Sequence, residues 1–248
     1  MSKRDDISDL YRLSSKLSGI ETLLFCSDII VSLLVVFLHQ NYPSIVVVQI
    51  VIAIIFFWVN IADDGQFWYI AERARRRNSI ENGFDIKMSD LETEEYYNNQ
   101  SKPSLEKCAM NALESSYYSK EIAGRMICCS VIKSIMAIVI LVVSCIFIED
   151  PNLLLVVTQT ALSSYVLVGT VMLVFYKYRL DSLYEKGYEI LISPGAKRKA
   201  KNAVYLAYIV EYEAIKAHYK IRLSTRVFLR NNDKIGDQWK RIEACRHI

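Results

Sequence analysis

Apolar and polar positions along this chain fall into separate blocks. Four stretches are almost purely apolar: Ile20 to His39, Ser44 to Ile61, Met126 to Ile148 and Asn152 to Tyr176. An amphipathic helix of a water-soluble protein would interleave the two classes, because one of its faces is wet. About 20 helical residues cross the hydrocarbon layer of a bilayer, and each block has roughly that length. The blocks are rich in Val and Ile, which also suit strands. Strands of this length would be abnormal in a soluble sheet, whereas in lipid a helix satisfies its own backbone. The pattern therefore predicts four transmembrane helices arranged as two hairpins, with helical extensions outside the membrane: an all-α, polytopic membrane protein. The predicted division is an N-terminal segment 1–19, a first hairpin 20–62, a loop with stalk helices 63–125, a second hairpin 126–176 and a helical tail 177–248.

Between the blocks, turn chemistry marks the element ends. Asp63 to Arg77 reads as a helical extension of the second span, with Phe67, Trp68 and Tyr69 as interfacial aromatics. Asn82-Gly83 is expected to break it. An acidic stretch follows, with Asp85, Asp90, Glu92, Glu94 and Glu95. Pro103 and the N-cap candidate Ser104 then introduce a helix that should run directly into the third span. Beyond the fourth span a helix should continue to about Ile192, where Ser193-Pro194-Gly195 stops it. A second tail helix is predicted over 196–221, with Val204, Tyr208, Glu211, Ile215 and Tyr219 on its buried face. A last, short one should include Ile235 to Cys245 around Trp239.

Charge sets the expected orientation. Segment 1–21 carries four Lys and Arg residues, 63–125 nine and 177–248 sixteen; Lys133 completes the 30 in the chain. The turns at 40–43 and 149–151 carry none, and the second holds Glu149 and Asp150. Basic residues flanking spans are retained in the cytoplasm, so both termini and the middle loop are expected on the cytoplasmic side. The N-terminus mixes acids with bases and lacks a small-residue cleavage site, which argues for a retained anchor over a cleaved signal peptide. The net charge of +3 is no sign of nucleic-acid binding.

Two charges fall inside spans: Asp28 in the first and Lys133 in the third, at nearly equal depth. A charge at mid-membrane costs about 2.5–3.5 kcal/mol on insertion scales, so the two are expected to pair, within one subunit or across an interface. The alternative is that Lys133 snorkels to the headgroups. Gln49, Asn60, Gln159, Ser163 and Ser164 are further polar positions in the spans, suited either to interhelical packing or to the lining of a shared pore. The cluster Arg73, Arg75, Arg76 and Arg77, and the run Lys197, Arg198 and Lys199, suit anionic headgroups or a phosphate-bearing ligand.

Catalytic and metal-binding patterns are missing from the sequence. There is no Walker loop, dinucleotide glycine motif, HExxH or nucleophile elbow, and the histidines His39, His218 and His247 are scattered. Six cysteines include no CxxC pair, so neither a zinc site nor a disulfide framework is implied. No enzymatic activity and no cofactor are expected.

The middle loop carries Arg75-Arg76-Arg77-Asn78-Ser79-Ile80-Glu81-Asn82-Gly83-Phe84, then Glu95-Tyr96-Tyr97-Asn98-Asn99, then Glu114-Ser115-Ser116-Tyr117-Tyr118-Ser119-Lys120. With four spans, and with Ser224-Thr225-Arg226-Val227 and Asn231 to Trp239 in the tail, these segments resemble bacterial four-transmembrane effectors found beside nucleotide second-messenger synthases and related anti-phage systems. That resemblance implies a homo-oligomer that permeabilises or depolarises the inner membrane, triggered through its cytoplasmic region by a sensor protein or a nucleotide second messenger. Four apolar helices of one subunit leave no room for a wet channel, so a pore would need several copies. The alternative is a non-conducting membrane scaffold that recruits a soluble sensor or nuclease.

Overall fold

A computed structural model describes residues 6–38, 43–91, 97, 99, 101–147, 165–192 and 201–245. Among these the chain is all-helical, without a strand. In chain order the helices are α1 (Asp6–Leu38), α2 (Pro43–Ala62), a π-helical turn (Asp63–Phe67), α3 (Trp68–Phe84), α4 (Leu105–Phe147), α5 (Tyr165–Leu191), α6 (Lys201–Tyr219) and α7 (Thr225–Ala244). The turns at 40–42 and 149–151, and Asn152 to Ser164 of the fourth predicted span, lie outside the described residues.

Two helical runs among the described residues are long and apolar enough to cross a membrane, Val47–Phe84 and Leu105–Val139. They overlap the second predicted span from Val47 and the third as far as Val139. A soluble core helix of the same composition would be buried, yet only 6% and 11% of their most apolar windows are covered by protein. Trp58, Met136 and Ile135 point outward at 64%, 59% and 55% exposure. In water such continuous apolar surface drives association; in lipid it is the natural exterior. The first predicted span is helical within α1, and Tyr165 to Tyr176 of the fourth is helical within α5.

Two compact units divide the chain: one within 1–78, 88–94 and 138–164, the other within 79–87, 95–137 and 165–248. In the first, α1 lies along α2 and the π turn. Residues 6–19 of the N-terminal segment are helical within α1. Its Ile7 and Ser14 are buried with Trp68, Ala71 and Ala74 of α3. The Tyr11 ring meets the Trp68 ring edge-on at 5.6 Å. Trp68, expected among the interfacial aromatics, is thus turned into protein, while Tyr69 remains exposed.

The second unit is a bundle of α4, α5, α6 and α7 about a common core. Leu113, Tyr176, Leu180, Leu183, Tyr208, Ile235 and Trp239 are all at most 1% exposed. Antiparallel packing of α5 and α6 is set by Gly187, where an added Cβ would come within 2.6 Å of the Tyr208 hydroxyl, and by Tyr176 facing Tyr219 at 6.0 Å. On α6 the expected face turns inward: Tyr208 is buried, and Val204, Ile215 and Tyr219 pack against the core; Tyr205 and Tyr212 are buried beside them, and Glu211 is half-buried and pairs with Lys186. Helix α7 is longer than expected. It starts at Ser224, whose hydroxyl accepts the Val227 N–H at 3.4 Å, an N-cap of the usual kind.

Two helix ends behave as the turn chemistry predicts, and one does not. Ser104 caps α4, accepting the Lys107 N–H at 3.1 Å. α5 stops at Leu191. Gly83, however, lies within α3; the stop comes at Asp85, in left-handed backbone at φ 55°. The Ile86 N–H reaches back to the Glu81 carbonyl at 3.1 Å, which is the outer bond of a Schellman ending.

Candidate functional site

Helix α4 runs for 43 residues, about 65 Å at 1.5 Å per residue, and its residues 105–137 belong to the second unit. Its polar end is wrapped by the bundle, and most described side chains of its apolar end are exposed. The boundary is a collar of charges just before Met126 and just after Tyr176. The Lys120 ammonium lies 4.0 Å from Asp181 and 3.9 Å from Glu121. Lys177 pairs with Asp181 one turn along α5. Arg125 is 4.0 Å from Glu121 and donates to Asn231 Oδ1 of α7 at 2.7 Å. Lys120 also sits over the Tyr184 ring, 4.1 Å from its centroid, and over the Tyr117 ring at 5.4 Å. Such cation–π contacts strengthen as water is removed. One lysine therefore joins α4 to α5 through both a carboxylate and an aromatic face.

Behind the collar lies an aromatic core. Tyr117 stands 5.4 Å from Tyr184 and 5.6 Å from Trp239. It donates to Gln238 Oε1 at 3.3 Å. The Tyr208 hydroxyl shares a hydrogen bond with Ser116 at 3.3 Å. Burial pushes the phenols of Tyr118 and Tyr184 up to about 12; the Glu114 carboxylate adds to it for Tyr118, and for Tyr184 the Tyr117 side chain does so once it ionises at high pH. Burial also raises Tyr208, further still. These are structural phenols held neutral. None is poised as an acid or base near neutrality.

Within the apolar part of the same unit, Thr170 of α5 is 8% exposed. Its hydroxyl lies 2.6 Å from Ser130 Oγ, accepts from Ser134 Oγ at 2.8 Å, and donates to the Ser130 carbonyl at 3.3 Å. Three hydroxyls thus tie α4 to α5.

The first unit holds its own polar core. Glu72 and Arg75 are both 4% exposed; two nitrogens of the guanidinium lie 3.0 Å from Glu72 Oε2. Tyr11 donates to Glu72 Oε1 at 2.6 Å. At the α2 end, Asn60 donates to Glu21 Oε1 at 3.4 Å, and Glu21 and Asp63 are buried. The π turn that begins at Asp63 rotates α3 relative to α2, and single π turns of this kind recur at functional positions.

The sequence-selected residues are distributed over both units. Asp28 is half-buried on α1 of the first, and Lys133 is exposed on α4 of the second. Gln49 and Asn60 are half-buried on α2. Of the four arginines chosen as surface contacts, Arg75 is a correction. It is locked inward by Glu72, because a buried carboxylate needs a countercharge. Arg73 is exposed, Arg76 and Arg77 are half-buried, and Arg77 donates to the Met88 carbonyl. Gln159, Lys197, Arg198 and Lys199 lie outside the described residues. Among the described residues no group of His, Cys, Asp or Glu could hold a metal ion.

The collar was not anticipated, although its signal was present. Lys177 and Asp181, and Glu121 and Arg125, are opposite charges four residues apart beside a predicted span, the spacing that places side chains on one helix face. What could not be read was that Lys120 and Arg125 reach across to other helices. No protein-family model, curated protein or solved structure matches this chain.

Proposed function

We propose that the chain is a homo-oligomeric, non-enzymatic effector of the bacterial inner membrane, acting in anti-phage defence. In this reading it crosses the bilayer four times as two hairpins, with both termini in the cytoplasm. Displacement of its cytoplasmic bundle, by a sensor protein or a nucleotide second messenger, tilts the spans and permeabilises or depolarises the membrane. The observation that carries the reading is the uninterrupted helix α4, gripped at its polar end by three other helices and mostly exposed at its apolar end. A helix without a break transmits tilt; a hinge would absorb it. Lys133 on the exposed part supports contact with a second subunit or with headgroups, and Asp28, Gln49, Asn60 and Gln159 are the further groups available to a shared axis.

The test is the membrane potential of cells carrying the native operon, followed with a voltage-sensitive dye during infection. Depolarisation that disappears when α4 is interrupted by Pro between Arg125 and Ser130 is the expected result. An unchanged potential in infected cells with the intact chain would overturn the effector reading.

A non-conducting scaffold is the second reading, favoured by one observation: the outer face of α6 leaves Leu206 and Val210 exposed at 53% and 58% beside Ala203 and Ala207. Stable co-purification of a soluble partner, lost on Val210→Glu, together with ion-tight proteoliposomes, would select it.

A further inference from the structure

The connection between α6 and α7 is held at the level where the spans begin. Two independent contacts place it there. Tyr219, the last residue of α6, faces Tyr176 at 6.0 Å, and the Ser224 N–H meets Met126 Sδ at 3.3 Å. Tyr176 and Met126 are the residues at which the apolar blocks of α5 and α4 give way to charge.

The chemistry of this connection differs from that of the rest of the tail. From Ala214 to Asn232 there are five bases and no acid, with Glu213 and Asp233 closing the interval on either side. Lys220, Arg226 and Arg230 are exposed. Between the two arginines on the first turns of α7 stands Leu229, at 71% the most exposed large apolar side chain among the described residues. Residues 226, 229 and 230 share one helix face by their three- and four-residue spacing. Further along, the outward face of α7 mixes Asp233 and Asp237 with Lys234 and Lys240, so the acid-free surface is confined to the end beside Met126.

We propose that Lys220, Arg226, Leu229 and Arg230 form a contact with the anionic lipid of the leaflet next to the bundle. Leu229 enters the boundary between headgroups and acyl chains, and the cations bind lipid phosphates. This rests on the reading that α4 crosses the membrane from about Met126. Charge complementarity selects the occupant: a leaflet of anionic headgroups attracts basic juxtamembrane segments over roughly a Debye length, and a bare leucine flanked by arginines is the pattern of a shallow interfacial insertion. The contact gives the bundle a second purchase on the membrane besides its spans, so leaflet charge would bias the position of α7 against α4 through Arg125 and Asn231.

The experiment uses the full chain in bilayers containing lipids with brominated acyl chains, made from phosphatidylcholine alone or mixed with phosphatidylglycerol. Leu229→Trp, Val210→Trp and Ile135→Trp are compared after subtraction of the wild-type emission. Ile135 lies nine residues past Met126, about 13 Å deeper along the helix. The expected result is blue-shifted Leu229→Trp emission quenched by shallow bromines in the mixed bilayers, with loss of quenching in phosphatidylcholine alone or on adding Arg226→Glu and Arg230→Glu. Val210→Trp, distant along α6, stays unquenched, and Ile135→Trp is quenched by deep bromines in both lipids. Quenching at Ile135 without quenching at Leu229 would overturn the leaflet contact and leave the span standing. Absence of quenching at both would overturn the span and the contact together. Leu229 quenching indifferent to lipid charge and to the arginines would overturn the anionic assignment. An unquenched Leu229→Trp whose emission shifts with protein concentration would assign the surface to a second copy, against the proposal.

Discussion

A methyl group on Gly83 would lie 2.0 Å from Cys108 Sγ and 3.3 Å from the Cys108 Cα. Glycine is required there by the close approach of α3 to α4. The turn that follows is made by Asp85 instead. Gly83→Ala should therefore destabilise the protein by about 1–3 kcal/mol, the usual cost of overpacking. Gly83→Ala combined with Cys108→Ala should recover much of that, because the sulfur is the nearest atom; equal losses in a thermal melt of both forms would refute it. At Arg75 the prediction follows from burial. Arg75→Ala leaves the Glu72 carboxylate without its guanidinium and should cost about 3–5 kcal/mol, whereas Glu72→Leu with Arg75→Met should be far milder, measured as detergent-resistant folded protein. Burial also fixes a pH response. The phenols of Tyr118 and Tyr184 move from 10.0 up to about 12, so below pH ~10 folded and unfolded chains hold these protons alike. Between ~10 and ~12 the unfolded chain releases them first, and stability falls as pH rises. Tyrosinate absorbance rising with loss of structure, and a shallower fall in Tyr118→Phe with Tyr184→Phe, are the expected readings.

Helix identity and most helix ends follow from local chemistry, and helix partners do not. Ser104 was legible as a cap because Pro103 precedes it and an unbroken helical pattern follows. The start of α7 at Ser224 was less visible, because its first turns are basic and half exposed and resemble a solvated tail until Asn231 is seen to meet Arg125. The hydroxyl tie between α4 and α5 makes an element-level prediction. Thr170→Val removes one partner from Ser130 and Ser134, whose hydroxyls can turn to their own helix carbonyls. The expected loss is between ~0.6 and ~1.7 kcal/mol, the average and the largest values measured for interhelical hydrogen bonds in a membrane protein, with steric trapping of α4 against α5 as the measurement. No loss would mean that apolar packing alone aligns these helices.

For the whole molecule, the proposed topology demands that a reporter fused after Ala244 be cytoplasmic and one inserted between Asp150 and Asn152 be periplasmic. A periplasmic reporter at the tail would be incompatible with it. The intramembrane charges offer a second check at this scale. Asp28→Lys should abolish assembly if Asp28 faces Lys133 in the oligomer, and adding Lys133→Asp should restore it, read by native gel or crosslinking. Failure of the reversal, with each single variant still inserted, would leave Lys133 to the headgroups.

The amino-acid order alone determines that this chain is helical and built from apolar and charged blocks, because hydropathy, caps and proline act over a few residues. It also marks α4 as a single helix joining a polar segment to an apolar one. The inward turn of Arg75 and Trp68 and the collar around Lys120 were decided by tertiary structure. An arginine or tryptophan at a helix edge is compatible with lipid, water or protein, and the choice depends on a partner far away in sequence. Tyr11 and Glu72, 61 positions apart, make that choice for α3, as Asn231 and Arg125, 106 apart, make it for α7.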